Sequence, residues 1–118
     1  MKKAYDYSAA EQLIPLLRNI QKEIRERSDS IRRVYVLIKG LGVNQRRKEG
    51  ALRAEISNHK REIRLARKEV TRLGCLLDEA SPHRVLIPGL DGTLDRGFAW
   101  EFGETTVQAF ASEGADNG

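Results

Sequence analysis

The chain has little of what a secreted protein or a small enzyme usually needs. It contains a single cysteine, Cys75, so no disulfide can form within the chain, and a free thiol is typical of a reducing compartment. Aromatic residues make up 6% of the 118 residues, whereas charged residues make up 32%. That composition favours long solvated helices over a deep substrate pocket.

Long apolar runs are also missing. No stretch approaches the roughly 20 apolar residues that a membrane-spanning helix needs. The residues that follow Met1-Lys2-Lys3 do not form the apolar core of a signal peptide. These absences predict a cytoplasmic protein that has no membrane partner.

Catalytic motifs are the third absence. The sequence shows no serine–histidine–aspartate arrangement, no phosphate-binding glycine loop and no paired-carboxylate motif. Cys75 follows a helix C-terminus, where the helix dipole disfavours a thiolate. His59 could be a buried switch or a metal ligand, but its apolar stripe favours a structural role beside Arg27 that sets helix register. We predict no catalytic residue, no metal site and no cofactor, so the protein is not expected to be an enzyme.

The sequence does contain two long apolar stripes with helical spacing. Apolar residues recur in steps of four and three from Leu13 to Leu41 and again from Leu52 to Leu73, the heptad-like spacing of coiled coils. Gly40 and Gly42 break the first helix, and Gly74 ends the second stripe. Because the connection is short, the two helices must run antiparallel as a helical hairpin.

The limits of the two helices follow from local signals. A capping-box pattern formed by Ser8 and Glu11 predicts the start of the first helix, and Pro15 predicts a bend near that start. We therefore place the first helix at 8–39 and the second at 49–73.

After residue 74 the apolar spacing changes to that of strands. The segment Val85-Leu86-Ile87 favours a strand, and Asp91-Gly92 favours a hairpin turn. Phe98, Trp100 and Phe102 then share one face of a strand at period two. With a return strand through Val107 to Phe110, these segments predict a three-stranded antiparallel meander.

The predicted fold class is therefore mainly α with a small β element. A long antiparallel helical hairpin is followed by the C-terminal β-meander. We expect a single domain over residues 1–112, a sheet region at 75–111 and a disordered tail at 113–118.

Several short motifs occur in a distinctive order along the chain. They are Tyr5 to Leu17, with its Leu-Ile-Pro-Leu-Leu segment, then Leu73-Gly74, Ile87-Pro88, Asp91-Gly92 and Phe98 to Glu104, which contains Trp-x-x-Gly-Glu. The set resembles the bacterial domain of unknown function 2203 family over nearly the whole chain. The resemblance implies the fold described above and no activity.

Three positions depart from the family pattern. Leu86 stands where the family has an acidic residue, Ala99 where it has a cysteine, and Phe110-Ala111 where it has a Trp-His pair. If these polar positions form a site in relatives, the resemblance implies that this chain lacks it.

Positive charge is concentrated on the helices. Residues 18–72 carry 17 basic and 7 acidic residues, a net charge of +10, whereas residues 73–118 carry 2 basic and 8 acidic residues, a net charge of −6. On the second helix the basic residues cluster on one face, away from the glutamates. This pattern predicts binding of nucleic acid or another polyanion. The alternatives are that the basic face is simply solvated, or that it contacts the acidic flank of a second subunit. The candidate polyanion-binding residues are Arg46, Arg47, Lys48, Arg53, Lys60, Arg64, Arg67 and Lys68.

Arg46, Arg47 and Lys48 raise a separate question, because positive side chains at a helix start oppose the helix dipole. They could form an anion site with free helix N–H groups, but a flexible loop before a helix that begins at Glu49 is the favoured interpretation.

The end of the first helix is apolar around its whole circumference from Val34 to Ile38, although one partner helix can cover only one stripe. A second copy is the simplest cover, so that two hairpins form a four-helix bundle about a two-fold axis. Alternatively, this β-branched run is a strand. The candidate interface residues are Val34, Tyr35, Leu37, Ile38 and Leu41.

Together these patterns predict a homodimeric structural or protein-interaction module with no catalytic activity. The alternative is a protein that binds nucleic acid or another polyanion through the basic face of the second helix.

Overall fold

The computed structural model describes residues 3–81 and 83–110, and most of these residues are helical. The predicted tail at 113–118 lies outside these residues. The elements, in chain order, are α1 at Tyr7–Gln12, α2 at Ile14–Lys39, a 3₁₀ turn at Val43–Gln45, α3 at Arg46–Arg72, β1 at Leu76–Leu77, β2 at Arg84–Ile87, β3 at Phe98–Glu101 and β4 at Gln108–Ala109.

The first helical segment begins and ends differently from the prediction. The side chain of Asp6, not Ser8, caps the helix, because its Oδ1 accepts a hydrogen bond from the Ala9 N–H at 2.7 Å. An interruption at Leu13 separates α1 from α2, within the segment where a bend was expected from Pro15. Pro15 lacks the N–H that a continuous helix would use at this point.

The long helical hairpin is confirmed, and α2 ends at Lys39 as predicted. The segment from Val34 to Ile38 is helical, so the alternative that it forms a strand is wrong. The second helix begins three residues earlier than predicted, at Arg46, because the 3₁₀ turn leads directly into it. In that turn the Gly42 N–H donates to Gln45 Oε1 at 3.1 Å, which satisfies a donor at the helix start.

Within this chain the contacts define two compact units. The sheet unit consists of the described residues up to Gln21 and from Arg67 onward. The hairpin unit consists of Lys22–Ala66.

The sheet has four antiparallel strands in the order β1-β2-β3-β4, so the prediction of three strands is wrong. The additional strand is β1, where Leu76 pairs with Leu86 and Leu77 with Val85. Two residues are too few to show a strand period in the sequence, which is why this short apolar segment was not predicted as a strand.

The core of the sheet unit lies between the sheet and the helical segments that belong to the unit. Leu17, Val70, Val85, Ile87 and Trp100 are each at most 1% exposed. They come from α2, α3, β2 and β3, so both kinds of element supply the same core. Among the helices of the described chain, none is both long enough and apolar enough to cross a membrane.

The connection between β2 and β3 is longer than the tight turn suggested by Asp91-Gly92. The Gly92 N–H donates to the Gly89 carbonyl oxygen at 2.9 Å, and Gly92 has a φ of 77°. Asp91 Oδ1 accepts hydrogen bonds from the Thr93 N–H at 2.9 Å and the Thr93 hydroxyl at 2.8 Å. The dipeptide therefore forms a turn inside the loop and does not itself join the two strands.

Candidate functional site

The eight candidate polyanion-binding residues do not form one surface in a single unit. Arg67 and Lys68 belong to the sheet unit, and the other six belong to the hairpin unit. Successive residues of a helix are rotated by about 100° around its axis. On that basis four of these six residues lie within about 40° of each other, on one side of α3. We call these four, Arg46, Arg53, Lys60 and Arg64, the basic flank. The side chains of Arg47 and Lys48 lie on other sides of the helix.

The start of α3 carries three exposed cations in its first turn, Arg46, Arg47 and Lys48. The interpretation that these residues form a flexible loop before Glu49 is wrong, because the backbone is helical from Arg46. Their charges oppose the dipole at this end, and Glu49 is the acidic residue of the first turn. Only Arg46 of the three lies on the basic flank.

The basic flank is only partly neutralised by the protein. Arg53 Nε lies 2.9 Å from Glu49 Oε2, one turn earlier on α3. Within the described part of the chain, no carboxylate lies within 4.0 Å of the charged groups of Arg46, Lys60 or Arg64. These three cations therefore remain available to an external anion.

Lys60 has an aromatic neighbour that the sequence did not reveal. Its Nζ lies 3.5 Å from the hydroxyl oxygen of Tyr35, which is on α2. The Tyr35 side chain is 39% exposed. Only the antiparallel packing of α2 against α3 brings these residues together, because they are far apart in the sequence.

A chain of polar side chains also crosses the hairpin unit. Arg27 Nη1 lies 3.1 Å from His59 Nδ1, as expected from the predicted register of the two stripes. Arg27 Nε lies 3.4 Å from Glu23 Oε1, and His59 Nε2 lies 4.0 Å from Glu55 Oε2. Since an arginine can only donate, His59 Nδ1 accepts in this arrangement. The pairing supports a structural role for His59 in setting the register of the helices.

Two features bear on metal binding and on nucleophilic chemistry. No group of three or more histidine, cysteine, aspartate or glutamate side chains suited to a metal ion occurs among residues 3–81 and 83–110. Cys75 is 5% exposed, and burial raises the pKa of its thiol to about 12. The thiol is therefore protonated at neutral pH, and a protonated thiol is a poor nucleophile.

The candidate interface residues divide into buried and exposed positions. Val34 is 4% exposed and packs inside the hairpin unit, while Ile38 and Leu41 are half-buried. Tyr35 and Leu37 are exposed, at 39% and 57%.

Two further apolar residues near the loop of the hairpin are exposed and were not in the predicted interface. Val36 is 69% exposed and Val43 is 81% exposed. We call the exposed aliphatic residues Val36, Leu37 and Val43 the apolar end. Val36 and Val43 lie close to or within the loop at residues 40–45, and this position in the sequence could have identified them as part of an exposed apolar surface.

The Trp-x-x-Gly-Glu motif forms a turn at the end of β3. The Trp100 Nε1–H donates to the carbonyl oxygen of Glu104 at 2.9 Å, and the Glu104 carboxylate accepts from the Glu101 N–H at 3.2 Å. Gly103 has a φ of 100°, a conformation that a residue with a Cβ rarely adopts. Each residue of the motif thus has a structural role in this turn.

Two of the positions that depart from the family pattern are brought together. Leu86 and Ala99 are direct partners across β2 and β3, and both are buried. Phe110 is half-buried, and its ring lies 5.9 Å from the Arg84 guanidinium carbon. Ala111 lies outside the described residues. An apolar cross-strand pair therefore occupies the place where the resemblance implied an acidic residue and a cysteine.

Asp78 and Arg84 form an ion pair beside this part of the sheet. Asp78 Oδ2 lies 2.7 Å from Arg84 Nη2 and 2.9 Å from Arg84 Nε, and Asp78 Oδ1 accepts from the Ala80 N–H at 3.0 Å. The Arg84 side chain, followed by the Ala80 N–H, lowers the pKa of Asp78 below its ordinary value of 3.8. The ionised carboxylate is therefore favoured by the folded state.

This lowered pKa predicts a pH-dependent effect of Asp78→Asn. A carboxyl whose pKa is lowered by folding stabilises the protein above its ordinary pKa and loses that effect as the pH falls through the lowered value. Asp78→Asn should therefore lower the Tm at pH 7, and its difference from the wild type should shrink as the pH falls below 3.8. The exposed Glu79→Gln is the control. A difference that stays constant into acid would contradict the prediction.

Comparison with known proteins identifies a family and nothing more specific. The family model described as "Uncharacterized conserved protein (DUF2203)" matches residues 3–116. No curated protein and no solved structure matches the chain. The match covers almost the whole sequence and confirms the resemblance inferred from the motifs. The chain belongs to the uncharacterized conserved protein family DUF2203.

Proposed function

We propose that the protein is a non-catalytic interaction module that forms a homodimer through its apolar end. The observation that carries the proposal is the exposure of three aliphatic side chains near one loop, at 69% for Val36, 57% for Leu37 and 81% for Val43. Clustered exposed apolar residues mark interaction surfaces on soluble proteins.

A second copy fits this surface because it presents the same apolar residues. Two hairpin units related by a two-fold axis can cover the outward side of α2 in a four-helix bundle, with coiled-coil-like packing. The free thiol of Cys75 also fits a reducing cytoplasm, which we include in the proposal as its location.

The charges around the apolar end predict how the dimer should respond to salt. Arg32 is paired with Asp29 on α2. Arg33 lies one turn before Val36, and Lys39 lies one turn after it. A two-fold interface places equal surfaces opposite each other, so these cations would repel across it. Salt screens such repulsion, and dimerisation should therefore strengthen as the salt concentration rises.

The test is to place a charge within the apolar end. Val36→Asp or Leu37→Asp should weaken dimerisation by about tenfold or more, because each would bury a carboxylate at an apolar contact. Both sites are exposed in the single chain, so the variants should fold. Sedimentation velocity over a range of protein and salt concentrations measures the effect.

The matched control is Leu65→Asp. Leu65 is an exposed leucine of the hairpin unit, at 48%, but it is on α3 and outside the apolar end. Its substitution should leave dimerisation unchanged. A wild-type chain that stays monomeric at micromolar concentration in both low and high salt would overturn the proposal, as would equal weakening by all three variants.

A further inference from the structure

We infer that the basic flank binds the phosphate backbone of single-stranded nucleic acid, with Tyr35 beside it as a platform for a base. This inference is independent of dimerisation, because it rests on α3 and Tyr35 and does not use the apolar end.

The first argument is the charge of the unit that carries the flank. Residues Lys22–Ala66 include 13 basic and 6 acidic residues, so the hairpin unit has a net charge of 13 − 6 = +7. The whole chain has a net charge of +4. The remaining residues therefore sum to −3, and the net positive charge of the chain comes from the hairpin unit, where it would attract a polyanion.

The second argument is the spacing of the cations along α3. Arg46 and Arg64 are 18 residues apart, which corresponds to about 27 Å at 1.5 Å per residue. Arg53 and Lys60 lie between them on the same side of the helix. A line of cations of this length can follow several successive phosphates of an extended strand.

The third argument is that the flank is available for binding. Arg46 and Arg64 are exposed, and no carboxylate of the described residues lies within 4.0 Å of either guanidinium. Lys60 contacts a neutral hydroxyl at 3.5 Å in place of a carboxylate. Binding a phosphate at these positions breaks no internal ion pair, and only Arg53 would have to exchange its contact with Glu49.

Tyr35 decides between a single strand and other polyanions. A cationic groove with an adjacent aromatic side chain is the usual arrangement for single strands, because a base stacks on the ring while the backbone follows the charges. The exposed ring of Tyr35 adjoins the ammonium group of Lys60. In a duplex the bases are already stacked on each other, so the ring would contribute less.

The test is fluorescence anisotropy with a labelled oligothymidylate at low salt. The wild type should bind, and its affinity should fall with salt at a slope of about −0.7 for each neutralised phosphate. The double variant Lys60→Glu, Arg64→Glu should bind at least about tenfold more weakly and show a shallower slope.

The control variant Arg47→Glu, Arg61→Glu has the same change in net charge, on the same helix, but outside the flank. It should lose much less affinity. Tyr35→Ala should weaken binding by about tenfold, while Tyr35→Phe, which keeps the ring, should not.

The outcome separates this inference from the homodimer. If the flank acts alone, Val36→Asp should still bind the oligonucleotide. The two activities should also respond oppositely to salt, because oligonucleotide binding should weaken as salt rises whereas dimerisation should strengthen. Absence of binding at low salt would overturn the inference. Equal losses in the two charge-reversal variants, or a duplex bound more tightly than the single strand, would overturn it as well.

Discussion

Replacing Trp100 with alanine is expected to cost about 3 to 5 kcal/mol of the free energy of unfolding. The indole is fully buried, and its removal leaves a large cavity in the sheet unit. It also removes the donor to the Glu104 carbonyl oxygen, which closes the turn after β3. Because domains of this size are stabilised by only about 5 to 15 kcal/mol, the loss is a large share of the total.

Trp100→Phe separates the two contributions of the indole. Phenylalanine keeps most of the apolar volume but cannot donate the hydrogen bond, so the expected loss is smaller than that of the alanine variant. Urea unfolding followed by far-UV circular dichroism measures all three proteins without relying on tryptophan fluorescence. An alanine variant as stable as the wild type would show that this indole is not part of the core.

The helical part of the fold could be predicted from the sequence because its signals are long and local. The apolar stripe through Ile31 and Ile38 repeats over many turns, which defines both the helix and its buried side. The same spacing correctly predicted that Arg27 would lie beside His59. Short elements lack this redundancy. The strand at Leu76–Leu77 is defined by its partner in β2 and not by a pattern of its own.

The candidate surfaces were less predictable, because they depend on contacts between distant residues. The basic side of α3 follows from helical spacing alone, but the contact between Lys60 and Tyr35 requires the reach of two particular side chains across the hairpin. The start of α3 at Arg46 depends on the 3₁₀ turn that precedes it. Neither feature produces a repeating pattern of residues from which it could be predicted.

The most specific family motif and the proposed surfaces lie in different units of the chain. The most specific family motif, Trp100 to Glu104, is in the sheet unit, and its side chains and Gly103 are accounted for by the turn that they form. The apolar end and the basic flank are in the hairpin unit. Membership of the family is therefore compatible with both proposed activities, which sedimentation velocity and oligonucleotide binding test separately.

Gly97→Ala should be at least as disruptive as the loss of a core side chain, although it adds only one methyl group. Gly97 lies directly before β3, and a Cβ at this position would overlap the carbonyl oxygen of Ile87 on β2. The Gly97 carbonyl oxygen also accepts from the Phe110 N–H at 2.9 Å. Because backbone atoms surround the site, relief requires the strands to separate, and we expect a loss of about 3 kcal/mol or more.

The same substitution at Gly50 should stabilise the protein instead of destabilising it. Gly50 lies within α3, and a Cβ there meets no atom within 4 Å. Alanine favours a helix over glycine by up to about 1 kcal/mol, so Gly50→Ala should raise the Tm slightly. Fluorescence of Trp100, the single tryptophan, follows the sheet unit in Gly97→Ala, and far-UV circular dichroism follows the helices in Gly50→Ala, because Gly50 lies in the hairpin unit. The prediction is contradicted if Gly97→Ala unfolds at the same urea concentration as the wild type. A Cβ would then have been accommodated without separating β2 from β3, so the close approach of Gly97 to Ile87 would not constrain the sheet.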